Sequence, residues 1–255
     1  MQRSHNAIQL TDLNSDELAR LYAYPAGLQV PWVRANFVSS IDGAATAGEL
    51  SEGLGTPADK TVFLLLRDLA DVILVGAGTV RAEHYGGART HAARRRELYR
   101  EGIGGHRDGA PPPIAVVTAG ANLEPDCRLL TDTAVPPLII TTAAAAADRK
   151  RALAEAGAEV IEVGEVAVTP KALLAALGAR GLFRVLCEGG PHLFGSLLDA
   201  DTVDELCLTT APLLIGGSAG RISLSAHEFH RRMRRTHLLL DEDGTLLTRW
   251  TRIVE

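Results

Sequence analysis

The chain has 255 residues, 46% of them hydrophobic, and a formal net charge of −5 at neutral pH. That is enough apolar material for one large α/β core or two small ones, and the acidic balance disfavours nucleic acid and anionic membranes as partners. Its apolar runs are of strand length, short of the roughly 20 residues a membrane helix needs. The three cysteines, Cys127, Cys187 and Cys207, include no CxxC pair, which excludes a zinc ribbon or a dithiol redox motif. With no secretory pattern in residues 1–20, the expected compartment is a reducing cytoplasm.

In chain order, residues 1–30 are expected to form a helical extension, its helix at 16–24, packed on a core of residues 31–255 within a single domain. Residues 32–39 read as the first strand, with Val33, Ala35, Phe37 and Ser39 on one face. A helix opens at Thr56-Pro57-Ala58-Asp59, where the threonine caps, the proline takes the first helical position and the acid favours the positive end of the dipole. Val62, Leu65, Leu66 and Leu69 are its apolar stripe. Residues 72–75 form a short buried strand ending at Gly76. The stretch 89–113 is the least regular and reads as a surface excursion holding a short arginine-rich helix. Two buried strands follow at 114–118 and 138–142, then a helix at 145–156 and a strand at 159–163. A helix at 169–180, a strand at 184–187 and a helix at 191–200 continue the alternation. Residues 204–211 and 246–254 are late strands, and 237–241 pairs with the last across the Asp243-Gly244 turn. Repeated βα units predict a mostly parallel central sheet with helices on both faces; the late strands, without helices between them, predict an antiparallel C-terminal edge.

Four segments carry the chemistry. Ser39-Ser40-Ile41-Asp42-Gly43 follows a strand directly, where open α/β sheets hold ligands, although Asp-Gly is also ordinary turn chemistry. Val75-Gly76-Ala77-Gly78-Thr79 leads a strand into a helix; its glycines would let the backbone approach a phosphate that helix N–H groups bind, and tight turning explains a lone GxG equally well. Leu186-Cys187-Glu188-Gly189-Gly190-Pro191 repeats this design, with Pro191 as the helix-starting residue. Two anion-ready turns in one sheet fit a dinucleotide pyrophosphate better than either does singly. Glu188 should end its strand in the cleft, where nearby phosphates would repel it, so a substrate hydroxyl or amine is its economical partner. Asp204-Glu205, with Ala211-Pro212 and Gly216-Gly217, reads as structural. The arginines from Arg81 to Arg107 read as a solvated helix face, with Arg81 or Arg89 as the sharper candidates for pairing with a phosphate. Those from Arg231 to Arg235 read as solvated surface. The cysteines read as core filler, and no metal site is expected because no His, Cys or Asp cluster has ligand spacing.

In this order and spacing, S-x-D-G, L-R-x-x-A-D, V-G-x-G-T-V, E-G-G-P and D-E-L…A-P-x-x-x-G resemble the pyrimidine reductase family of riboflavin biosynthesis. That family is the C-terminal reductase of a bifunctional deaminase–reductase and a structural relative of dihydrofolate reductase. The resemblance spans about residues 32–253. It implies a dihydrofolate-reductase-like α/β fold, NADPH as cofactor, a homodimer and a small-molecule substrate. The implied reaction resembles that of 5-amino-6-(5-phosphoribosylamino)uracil reductase, with hydride transfer to an imine-like carbon. By resemblance Val38, Gly76, Gly78, Thr79, Arg81 and Glu83 would serve the cofactor, together with Gly189, Gly190, Pro191, His192 and Leu193. Ser51, Arg67, Glu83 and Glu188 would touch substrate. Asp42 or Glu188 would be the catalytic carboxylate, assisting proton delivery if burial raises its pKa. The deaminase signature H-x-E with P-C-x-x-C is absent, so deamination is not expected. Ala44 stands where the family commonly has Lys or Arg, Gly53-Leu54-Gly55-Thr56 where it has W-[IL]-[TS], and His84-Tyr85-Gly86-Gly87 where it has D-x-P-x-L. These departures lie on the substrate side, so a dihydrofolate or other pterin reductase is the alternative on the same fold. A non-catalytic nucleotide-binding protein is a further one, disfavoured by the carboxylates Asp42, Glu83 and Glu188 beside the glycine turns.

Overall fold

Ten strands form one sheet in the computed structural model, which describes residues 7–48 and 50–253. In chain order they are β1 (Ile8–Gln9), β2 (Trp32–Ser40), β3 (Val72–Gly76), β4 (Ile114–Val117), β5 (Leu138–Thr141), β6 (Glu159–Glu162), β7 (Arg184–Cys187), β8 (Glu205–Ala211), β9 (Met233–Leu240) and β10 (Leu246–Arg252). The helices are α1 (Ser15–Leu21), α2 (Pro57–Leu69), α3 (Ala77–Ala82), α4 (Ala92–Arg100), α5 (Arg128–Thr131), α6 (Ala147–Glu155), α7 (Pro170–Gly178) and α8 (Pro191–Asp199). The spatial order is β1-β9-β10-β8-β2-β7-β3-β4-β5-β6. From β8 through β6 every pairing is parallel.

The apolar runs explain the layering. All four residues of β5 are buried, as are Val72 to Val75 of β3, because parallel strands covered on both faces have no wet side. Alternation sends Ile73 to a core shared with Leu66 of α2, and Leu74 to a second core shared with Phe194 and Leu197 of α8. The α2 start is the expected one: the Thr56 hydroxyl accepts from the Asp59 N–H at 3.2 Å and Pro57 opens the helix.

At several points the structure refines or corrects the expectations. The N-terminal extension is not purely helical, since Ile8 and Gln9 add a strand parallel to β9. Its helix begins at Ser15 because Asn14 caps it, accepting from the N–H groups of Asp16 and Glu17 at 3.0 Å. The expected antiparallel C-terminal edge is present, β10 pairing antiparallel with both β8 and β9, and β1 adds a parallel outermost pair to it. β9 also starts earlier than expected, taking in Arg234 and Arg235, with an irregularity at Arg249/Trp250 absorbing the register shift. The arginine-rich helix is not simply a solvated face. Arg95 of α4 is 1% exposed and donates to the carbonyls of Arg67, Asp68, Ala70 and Ala110 at 2.6–3.1 Å, stitching α4 to the carboxyl end of α2. No helix among the described residues is long and apolar enough to cross a membrane.

Candidate active site

Parallel strands bring their carboxyl ends to one side of the sheet, and the two glycine turns meet there. The Gly76 N–H at the end of β3 donates to the Gly189 carbonyl after β7 at 2.8 Å. Gly189 has φ +90°, which only glycine adopts readily, and a Cβ on it would come within 3.0 Å of the Phe37 ring. The Gly189-Gly190 peptide is cis. A Cβ on Gly190 would collide with the Thr79 hydroxyl. α8 starts immediately after, with Pro191 in its first turn, and the N–H groups of that turn have no intrahelical acceptor.

These turns border a cleft of about 880 Å³, the size of a nucleotide-cofactor site. Val38, Gly76, Gly78 and Thr79 line it, and so do Gly190, Pro191, His192 and Leu193. The residues present therefore fit a dinucleotide: bare backbone at Gly190, a helix N-terminus and an apolar wall. Gly189 lies behind the wall, its carbonyl spent on Gly76. Arg81 does not line the cleft. It donates to the Asn122 carbonyl at 2.8 Å, and Arg149 reaches the Asn122 side chain. Arg89 is paired with Asp132.

Ser51 and Glu83 also line the cleft and come together, the Ser51 N–H donating to Glu83 Oε1 at 2.9 Å. Glu188 also lines the cleft, but its partners are protein groups. Arg67 Nε and Nη2 donate to its two oxygens at 2.7 Å each, and the Tyr85 hydroxyl donates to Oε2 at 2.7 Å. The sequence expectation gave these oxygens a substrate hydroxyl or amine; in the structure Arg67 and Tyr85 take them, because a carboxylate 3% exposed needs partners inside the protein. Arg67 is set behind the cleft surface, 4.3 Å from the centre of the Phe63 ring, and holds Glu188 from there. Burial pushes the Tyr85 phenol well above its ordinary pKa, with the Glu188 charge adding to the effect.

Asp42 is not brought to the cleft. It accepts from the Ser40 hydroxyl and from the N–H groups of Ile215 and Gly216, the latter at 3.2 and 2.7 Å. The Ser40 bond first, then the two N–H groups, hold its pKa down to about 2. That is the wrong direction for a proton donor, and Asp42 instead anchors the loop after β8.

Sequence reasoning missed Asp59, Tyr85 and Thr209. Asp59 lines the cleft from the first turn of α2, and its Oδ1 accepts from the Thr209 hydroxyl of β8 at 2.6 Å. Burial raises its pKa, with Thr209 pulling the other way. The signal was present as an acid at a helix start, but the dipole explained it without a cleft. Among the described residues no group of three or more His, Cys, Asp or Glu is placed to hold a metal.

Comparison with known proteins gives a consistent picture. The sequence model of a family described as the RibD C-terminal domain matches residues 31–247. The 2,5-diamino-6-ribosylamino-4(3H)-pyrimidinone 5′-phosphate reductase of Aquifex aeolicus is 27% identical over 88% of this chain and 97% of its own length. The protein of the same description from Methanothermobacter thermautotrophicus is 32% identical over 75% of this chain and 82% of its own. Among solved structures, a pyrimidine reductase-like protein from Corynebacterium diphtheriae superposes with a TM-score of 0.75. It is 28% identical, with 88% of this chain and 93% of that one covered.

Proposed function

Because the chain belongs to the RibD C-terminal domain family, we propose that it reduces a ribosylaminopyrimidine 5′-phosphate to the ribitylamino compound, with NADPH as cofactor. It is an oxidoreductase of riboflavin biosynthesis with the dihydrofolate-reductase-like fold. The observation that carries the reading is the pair of abutting glycine turns opening on one cleft, with a paired carboxylate on its substrate side.

The nicotinamide supplies the hydride; this chain's residues bind, orient and exclude water. Gly190 and the first turn of α8 would hold the pyrophosphate, with Thr79 and Val38 on the same wall. The extra phosphate of NADPH would be read by Arg81 and Arg149. Both are exposed and meet at Asn122, in the loop that follows the cleft-lining Val117. Glu83 and Ser51 form the substrate wall, and Glu188, fixed by Arg67, holds the Tyr85 hydroxyl toward it. The protein works in the cytoplasm as a homodimer.

Cofactor choice tests this arrangement. NADPH should bind more tightly than NADH by about tenfold or more, the scale of one charge-assisted bond. The double variant Arg81→Ala/Arg149→Ala should remove most of that preference and leave NADH binding unchanged. Equal dissociation constants for the two cofactors in the parent protein would contradict the assignment.

A further inference from the structure

Resting on the reading of the cleft as that of a pyrimidine reductase, we infer that Asp59 is the specificity-determining residue that selects a ring still carrying its 2-amino group, a 2-amino-4-oxopyrimidine, over the corresponding uracil. The two candidate substrates differ at one position. In 2,5-diamino-6-ribosylamino-4(3H)-pyrimidinone 5′-phosphate the ring N3–H and the 2-amino group present two parallel N–H donors. In the 5-amino-6-ribosylaminouracil phosphate the 2-position is a carbonyl, an acceptor.

Asp59 is built to take the donor pair. Its carboxylate sits in the cleft between α2 and β8, receiving a single hydrogen bond, from the Thr209 hydroxyl at 2.6 Å. Among the described residues it forms no ion pair. Of the two cations on the same helix, Lys60 lines the cleft but is exposed and makes no ion pair with Asp59, and Arg67 is committed to Glu188. A carboxylate offers about four lone-pair sites, so most of its accepting capacity faces the cleft unspent. Two coplanar N–H groups match that geometry as a guanidinium does, whereas a 2-oxo group would set oxygen against oxygen. The raised pKa of Asp59 has burial as its largest cause; a carboxylate left this way is stabilised when donors arrive and destabilised further by an acceptor. Glu188 does not serve this purpose, since its oxygens already accept three hydrogen bonds.

The experiment compares the two pyrimidine phosphates twice, by turnover with NADPH and by calorimetric binding in the presence of NADP⁺, where no reduction occurs. The parent should favour the 2-amino compound by roughly 10²-fold or more in both readouts, as expected where a site's polar group is left unpaired by the wrong ligand. Asp59→Asn keeps the shape and places an N–H₂ donor beside the ring, so it should lose that preference and gain on the uracil. Its NADPH affinity and melting temperature should not fall. Thr209→Val, which leaves the carboxylate in place, should retain the preference. A parent that treats the two compounds alike, or prefers the uracil, overturns the inference; so does an Asp59→Asn variant that loses both equally. If neither compound is reduced while Asp59-dependent binding of the 2-amino compound persists, Asp59 keeps its role and the reductase reading falls. If neither is bound, both fall.

Discussion

At the residue scale, the two carboxylates expected to act on substrate have different fates, and desolvation separates them. Asp42 is exposed and tied to backbone N–H groups, so its charge is stabilised without a cation. Glu188 is buried and takes a bidentate arginine. Glu188→Gln should therefore have two effects. It leaves Arg67 buried against a neutral amide, which lowers the melting temperature, breaking a buried pair being worth about 3–5 kcal/mol. It also frees the hydroxyl of Tyr85, which lines the cleft, and turnover per folded molecule should fall by roughly 10²-fold, the scale that a small misplacement of a positioning group costs. Asp42→Asn should change turnover by less than about threefold. Thermal melts and single-preparation kinetics on the two variants decide it, and a larger loss of turnover in the Asp42 variant would reverse the assignment. The sequence alone could place both acids at strand ends but not say which one a distant arginine would reach, because Arg67 is 121 positions away.

At the element scale, the sequence was most legible where a local rule acts alone. Thr56-Pro57 and Thr169-Pro170 start helices as expected, and β7 keeps its expected bounds. It was least legible where tertiary contacts override composition. Arg34 sits near the start of β2 at 0% exposure, paired with Glu205 at 2.5 Å, while Arg249 reaches the other Glu205 oxygen at 2.8 Å. No period-2 pattern announces a buried arginine. The same cluster fixes the N-terminal segment: Arg249 donates to the Leu21 and Ala23 carbonyls, and Tyr22 packs edge-on against His237 of β9 at 4.7 Å. Burial first, then the Arg249 charge, holds the His237 pKa at about 4, below its ordinary 6.5. Glu205 opposes that shift and Arg34 adds to it. The unfolded chain therefore takes up a proton that the folded chain refuses as pH falls from about 6.5 to about 4, and stability is lost through that window. His237→Phe should flatten that part of the stability-versus-pH curve. Parallel curves for variant and parent would rule this cause out.

At the scale of the whole molecule, the order β1-β9-β10-β8-β2-β7-β3 places β2 and β7 side by side with β3 next to them, so three carboxyl ends converge on one cleft. The alternation of strands and helices made the parallel sheet and the glycine turns readable in advance. Of the residues gathered beside the cleft, Ser51 and Glu83 were readable only through the family resemblance and Asp59 and Thr209 not at all, because they come from separated segments that only the sheet order unites. The central claim is hydride transfer to the sugar-derived carbon of a ribosylaminopyrimidine phosphate. It is tested most directly by single turnover with NADPH deuterated at the transferable position, followed by mass and NMR analysis of the product. Deuterium at C1′ of a ribityl chain is the expected result. A product without label at C1′, or label delivered only to dihydrofolate in a parallel reaction, would contradict it.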